Sequence, residues 1–201
     1  MHQRKFSEIF LNIRGINIGK KYGRNWIFRD LNFAISSGDR VVITGKNGSG
    51  KSTLLQIASG YLTPSKGEVL YDESKELDSA NTAYIGPYME IIEEYSLHEF
   101  LTFHSKFKEP LIPLDEMAER ASIPLSKTIG EFSTGMKQRA KLITAFFYRS
   151  DLVFMDEPTS NLDQEGFHWW KKELELMEGS TVIIASNQSN EIAMCPNSIN
   201  L

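Results

Sequence analysis

Nine consecutive residues, Gly45-Lys46-Asn47-Gly48-Ser49-Gly50-Lys51-Ser52-Thr53, combine glycines, a lysine and hydroxyls in the order G-x-x-x-x-G-K-[ST]. The chemistry open to such a run is the holding of phosphate. Gly45, Gly48 and Gly50 let the backbone wrap closely round an anion, and the N–H groups at the start of a following helix add positive potential. Lys51 is placed to reach β- and γ-phosphates and Ser52 to ligate Mg²⁺, with Asn47, Ser49 and Thr53 completing the cradle. The ligand this predicts is MgATP. The alternative is a glycine-rich turn carrying a solvated lysine. The flanking residues weigh against it, because a short apolar strand, Arg40 to Thr44, feeds the loop and a helix, Ser52 to Ser59, leaves it before Gly60.

A second group of reactive side chains stands at Leu152-Val153-Phe154-Met155-Asp156-Glu157, four apolar residues followed by two acids. That pattern predicts a parallel core strand, buried on both faces, delivering carboxylates to its C-terminal edge. Asp156 is expected to hold Mg²⁺ through water. Glu157 is expected to take a proton from the attacking water as general base, while Lys51 steadies the transferred phosphate.

With both groups in hand the chain resembles the ATP-binding subunits of ABC transporters over nearly its whole length. Phe132-Ser133-Thr134-Gly135-Met136-Lys137-Gln138-Arg139 resembles the family signature, with Thr134 and Met136 in place of the commoner Gly and Gln. Ser133 and the N–H of Gly135 would open a helix running to about Arg149, and in the family this anion site meets the γ-phosphate held by a second subunit. Ser160-Asn161-Leu162-Asp163 resembles the loop that couples the two sites, so Asp163 joins the nucleotide-binding set. Tyr22 stands where the family carries an aromatic that stacks on adenine, with Trp26 and Phe28 close by as alternatives.

Two positions depart from the family pattern. Tyr88 falls where a glutamine touches Mg²⁺ and the attacking water, and a neutral phenol is a poor ligand for that ion. Asn187 falls where a histidine contacts the γ-phosphate. Asparagine donates a hydrogen bond but carries no charge, so Asn187 is a weaker catalytic helper and slow hydrolysis is expected.

The elements that must position these residues read as one α/β domain across residues 1–201, of P-loop type, with a mainly parallel core sheet, an antiparallel β layer and an inserted helical lobe near 88–150. The antiparallel layer is expected from Phe10 to Ile18 and Leu31 to Ile35 with a turn at Lys20-Lys21-Tyr22-Gly23, and a further strand is expected at Glu68 to Tyr71. Helical spacing appears at Leu97 to Leu101, Leu114 to Ala121 and Gln164 to Met177, and a further strand at Thr181 to Ala185.

At 201 residues, 41% hydrophobic and 24% charged, the chain suits one compact unit. A formal net charge of −4 argues against a general nucleic-acid binder, so no nucleic-acid partner is expected. The single Cys195 forms no internal disulfide, and His2, His98, His104 and His168 read as surface or packing residues. Met1 to Phe10 lacks a signal-peptide core and no apolar run reaches a bilayer-spanning length, which predicts a cytoplasmic protein. The resemblance implies attachment to the cytoplasmic face of the inner membrane through permease subunits on other chains, and a homo- or heterodimer with a second ATP-binding subunit. Small exporter subunits, including the haem-exporter type of cytochrome c maturation, look most similar. A nucleotide-sensing module with little hydrolysis and a soluble ABC ATPase outside transport are the alternatives.

Overall fold

The computed structural model describes residues 11–72, 77, 79–177 and 179–201. The reading of Met1 to Phe10 lies outside them, as does His2. Two sheets carry the chain. In the first, β1 (Ile13–Tyr22) pairs antiparallel with both β2 (Asn25–Ile35) and β4 (Lys66–Tyr71), giving the order β2-β1-β4. In the second, β3 (Arg40–Thr44), β5 (Thr82–Ile85), β6 (Leu152–Asp156), β7 (Thr181–Ala185) and β8 (Asn197–Asn200) run parallel in the order β5-β6-β7-β3-β8.

The turn expected at Lys20 to Gly23 is displaced. Lys20, Lys21 and Tyr22 belong to β1, and the reversal occurs at Gly23, where φ is 59°. These side chains look like turn formers because they are polar, but they lie on an exposed ribbon where polarity says nothing about pairing. Two strands lacked a readable pattern. β5 has only four residues, and β8 is a polar edge strand, Asn197-Ser198-Ile199-Asn200.

Strand alternation divides the core. Val153, Met155, Val182 and Ile184 point into one cluster, shared with the helices, while Leu152, Phe154, Ile183 and Ala185 point into the other, under the antiparallel layer. The second cluster also takes Leu54, Leu55 and Ile57 from α1 (Lys51–Ala58). The first takes residues of α2 (Leu97–His104), α3 (Leu114–Arg120), α4 (Thr134–Phe146) and α5 (Gln164–Glu175).

The helices start where local chemistry allows. Ser96 and Glu99 form a reciprocal capping box at α2. Asp115 and Glu116 sit in the first turn of α3 and Arg120 in its last, each matched to the helix dipole. Arg120 then ties α3 to α5 through Glu173, which is buried, and stacks over Phe147 at 4.8 Å. A short helix, α6 (Ser189–Ile192), follows β7.

His104 packs edge-on against Tyr148 at 4.5 Å, and its buried Nε2 has no hydrogen-bond partner. Burial, helped by Lys108, pushes its imidazole down to about 4 from 6.5. Below pH 6.5 the unfolded chain takes up a proton that the folded chain refuses, so stability must rise with pH from about 4 to 6.5. Thermal melts across this window should show that slope, and His104→Phe should flatten it. An unchanged slope in the variant would assign the dependence to other groups.

Candidate functional site

The three central strands end side by side. Ile43 pairs with Ala185, and Ala185 pairs with Asp156, so β3, β7 and β6 finish in one row. From the end of β3 the chain enters the glycine loop. Gly45, Gly48 and Gly50 take φ values of 150°, 80° and 100°, a region that favours glycine, before α1 begins at Lys51. Contact as well as torsion requires Gly50. A Cβ there would lie 2.4 Å from Ile27 Cγ2 and 3.0 Å from the Phe28 ring, so the antiparallel layer presses directly on the loop.

Lys51 is only 7% exposed. Its ammonium spans the loop, donating to the carbonyl oxygens of Gly45 at 3.2 Å and Lys46 at 3.4 Å. Ser49 Oγ is buried without a partner. A buried cation holding only long bonds to carbonyls, beside an unpaired hydroxyl, suits a group rich in acceptor oxygens.

Ser52 Oγ, on the first turn of α1, donates to Asp156 Oδ1 at 3.0 Å. Asp156 is 3% exposed, and burial raises its carboxyl pKa, with Ser52 and Lys51 pulling the other way and Glu157 adding to the rise. A hydroxyl and a carboxylate at this separation, next to the phosphate cradle, form the oxygen donor set that suits Mg²⁺. Glu157 follows with φ at 48°, its N–H donating to Ala185 O at 2.9 Å. The left-handed backbone turns its side chain out of the strand, where it is exposed beside Asp156.

Asn187 lies on the turn after β7, and its amide donates to Asn47 Oδ1 in the glycine loop. Tyr22 is 55% exposed at the end of β1, with Lys20 Nζ 5.4 Å from its ring centre. Phe28, by contrast, packs into the core beneath the loop, and Trp26 lies against Gly19. Tyr88 is 90% exposed and makes no hydrogen bond to Ser52, Asp156 or Glu157.

The variant signature segment forms the start of α4. Ser133 is its N-cap, its Oγ accepting from Met136 N at 3.2 Å. A Cβ on Gly135 would come within 3.0 Å of Asn161 O, so the glycine lets the segment from Ser160 to Asp163 approach. The Asp163 carboxylate is occupied within the chain. It caps α5 through Gly166 N at 2.7 Å and pairs with Arg139 at 3.0 Å, which together hold its pKa below the usual range.

Several contacts that hold this loop have no signature in the sequence. Gln138 Nε2 donates to Pro158 O at 2.8 Å, and Glu191 receives Thr159 N at 2.9 Å.

Fold and site together define a P-loop nucleotide-binding protein. Residues 28–160 match the family model described as ABC transporter, and the chain belongs to that family. It is 31% identical over 92% of its length to an uncharacterised ABC transporter ATP-binding protein, YdbJ, of Bacillus subtilis, and spans 64% of that relative's length. The lantibiotic transport ATP-binding protein SrtF of Streptococcus pyogenes is 30% identical over 88% of the chain and 80% of the relative. The cytochrome c biogenesis ATP-binding export protein CcmA of Brucella abortus is 34% identical over 77% of the chain and 74% of the relative. The cassette MJ0796, solved as a dimer in a post-hydrolysis state with ADP and Pi, superposes with a TM-score of 0.81 at 22% identity, covering 94% of each chain. An ATP-bound bacterial exporter of the Atm1 family gives 0.83 at 18% identity, over 98% of this chain and 38% of the other. The fold expected from the sequence, a parallel core with an antiparallel layer and a helical lobe, is the one observed.

Crowding at Gly50 yields a direct test. Gly50→Ala should weaken binding of a fluorescent ATP analogue by about tenfold, since the loop must shift away from Ile27. Gly38→Ala, which also has a positive φ but meets nothing within 4 Å, should leave the affinity unchanged. Equal affinities in all three proteins would separate the loop from nucleotide binding.

Proposed function

We propose that this chain is the motor subunit of a transporter: it binds MgATP between the glycine loop and Asp156, closes head to tail on a second ATP-binding subunit, and hydrolyses the nucleotide slowly. The observation that carries the reading is the 3.0 Å contact of Ser52 with Asp156, beside a Glu157 side chain turned outward by its backbone. Mg²⁺, when bound, neutralises charge on the β- and γ-phosphates. Lys51 and the loop N–H groups hold the phosphates, Tyr22 offers a free ring face to the base, and Glu157 takes the proton of the attacking water. Ser133 and Gly135, at the start of α4, supply the anion site for the nucleotide held by the other subunit.

No helix among the described residues is long and apolar enough to cross a membrane. In this reading movement passes to membrane subunits at the cytoplasmic face, and the exposed ring of Tyr88 at the start of the helical lobe favours that side for docking. The named relatives serve different cargoes, lantibiotics in one case and cytochrome c biogenesis in another, so their cargo is not transferred to this chain.

Steady-state turnover of ATP tests the proposal. Glu157→Gln should lower the rate by about a hundredfold, the range of a lost general base. Asn187→His should raise it, because a histidine can place positive charge against the γ-phosphate. An unaltered rate in Glu157→Gln would remove that residue as the base, and no gain in Asn187→His would remove Asn187 as the limit.

A further inference from the structure

Glu191 is fully buried, at 0% exposure. Its Oε1 accepts from Thr159 N at 2.9 Å and also from the Thr159 hydroxyl, while Oε2 has no hydrogen-bond partner. It joins none of the ion pairs among the described residues. A carboxylate buried without a cation is a poor contributor to stability, and an apolar side chain would fill such a place better. What this one does is fix a single residue, Thr159, whose N–H and hydroxyl both donate to the same oxygen.

Thr159 belongs to the loop from Glu157 to Asp163, which a backbone bond ties to β7 at Glu157 and which the helices beneath hold at two further points. Gln138 of α4 holds Pro158 at 2.8 Å, and Arg139 of α4 with the start of α5 holds Asp163. The Glu191 link reaches a different element, α6, which directly follows the turn carrying Asn187. Gln188 at the same turn adds a long contact to the Thr159 hydroxyl at 3.4 Å. Beside this link a hollow of about 260 Å³, lined by Thr159, Leu162, Gln188 and Asn190 among others, separates the loop from α6. The two segments thus touch at Thr159 and stand apart next to it.

We infer that Glu191 is a positioning residue that ties the partner-facing loop to the turn of Asn187, so that phosphate contact on one side and subunit closure on the other are felt together. A continuous route results: Asn47 to Asn187, α6, Glu191 to Thr159, and Asn161 against Gly135. It runs from the glycine loop of one nucleotide site to the signature helix that faces the other. The inference rests on the proposed head-to-tail dimer.

The test uses the full chain with Glu157→Gln as the reference, and reads two quantities: ATP affinity by titration, and the dimer dissociation constant in saturating MgATP by sedimentation velocity. Glu191→Ala and Thr159→Val should each weaken the dimer by about fivefold with ATP affinity held within about twofold, and the double variant should be no weaker than the weaker single, as expected of two ends of one contact. Glu191→Gln, which keeps the acceptor oxygen, should restore the dimer. Reference-like dimerisation of Glu191→Ala, or single losses that multiply, would overturn the inference. A Glu191→Ala chain that does not fold leaves Thr159→Val against Thr159→Ser to decide in the same way. If the reference itself forms no dimer, the head-to-tail pairing of two copies on which the inference rests fails, and the inference is overturned with it.

Discussion

Ile43, Ala185 and Asp156 lie in one row across β3, β7 and β6, and nearly every functional group hangs from that register. Parallel strands finish on the same edge, so the glycine loop, the acidic pair and the turn of Asn187 emerge as neighbours although they are far apart in sequence. Slipping one strand by one residue would reverse its side chains between the two core clusters and carry Asp156 away from Ser52. The apolar alternation that fills the core is therefore also what brings a hydroxyl within 3.0 Å of a carboxylate.

The two faces of the sheet then take different tasks. Under one face α1 and the antiparallel layer brace the phosphate loop, down to the contact of Ile27 with Gly50. On the other the helices form a lobe joined to α5 through the partly shielded ion pair of Arg120 with the buried Glu173. Left-handed backbone at Glu157 and Asn161 marks the edge between these regions, where strain is tolerated because the loop is held at several points.

The candidate site was legible as a cluster because many of its residues are adjacent in sequence and their types are dictated by backbone need. Glycine at positive φ, a lysine inside the loop and a hydroxyl at the helix start leave few substitutes. The acidic strand was legible for a related reason, since a run of apolar residues buried on both faces has little choice of composition. β8 and the end of β1 were hidden because their strands are polar, and polar strands show no period. The partners of Thr159 and Asp163 were hidden for another reason. Glu191 lies 32 positions from Thr159 and Arg139 lies 24 from Asp163, and nothing local encodes those pairings.

The contact between Asn187 and Asn47 joins two amides, neither of which gains or loses a proton in ordinary solution. A histidine in that place would change charge between pH 5 and 8. This chain has instead a link between the glycine loop and the turn after β7 that involves no titratable side chain.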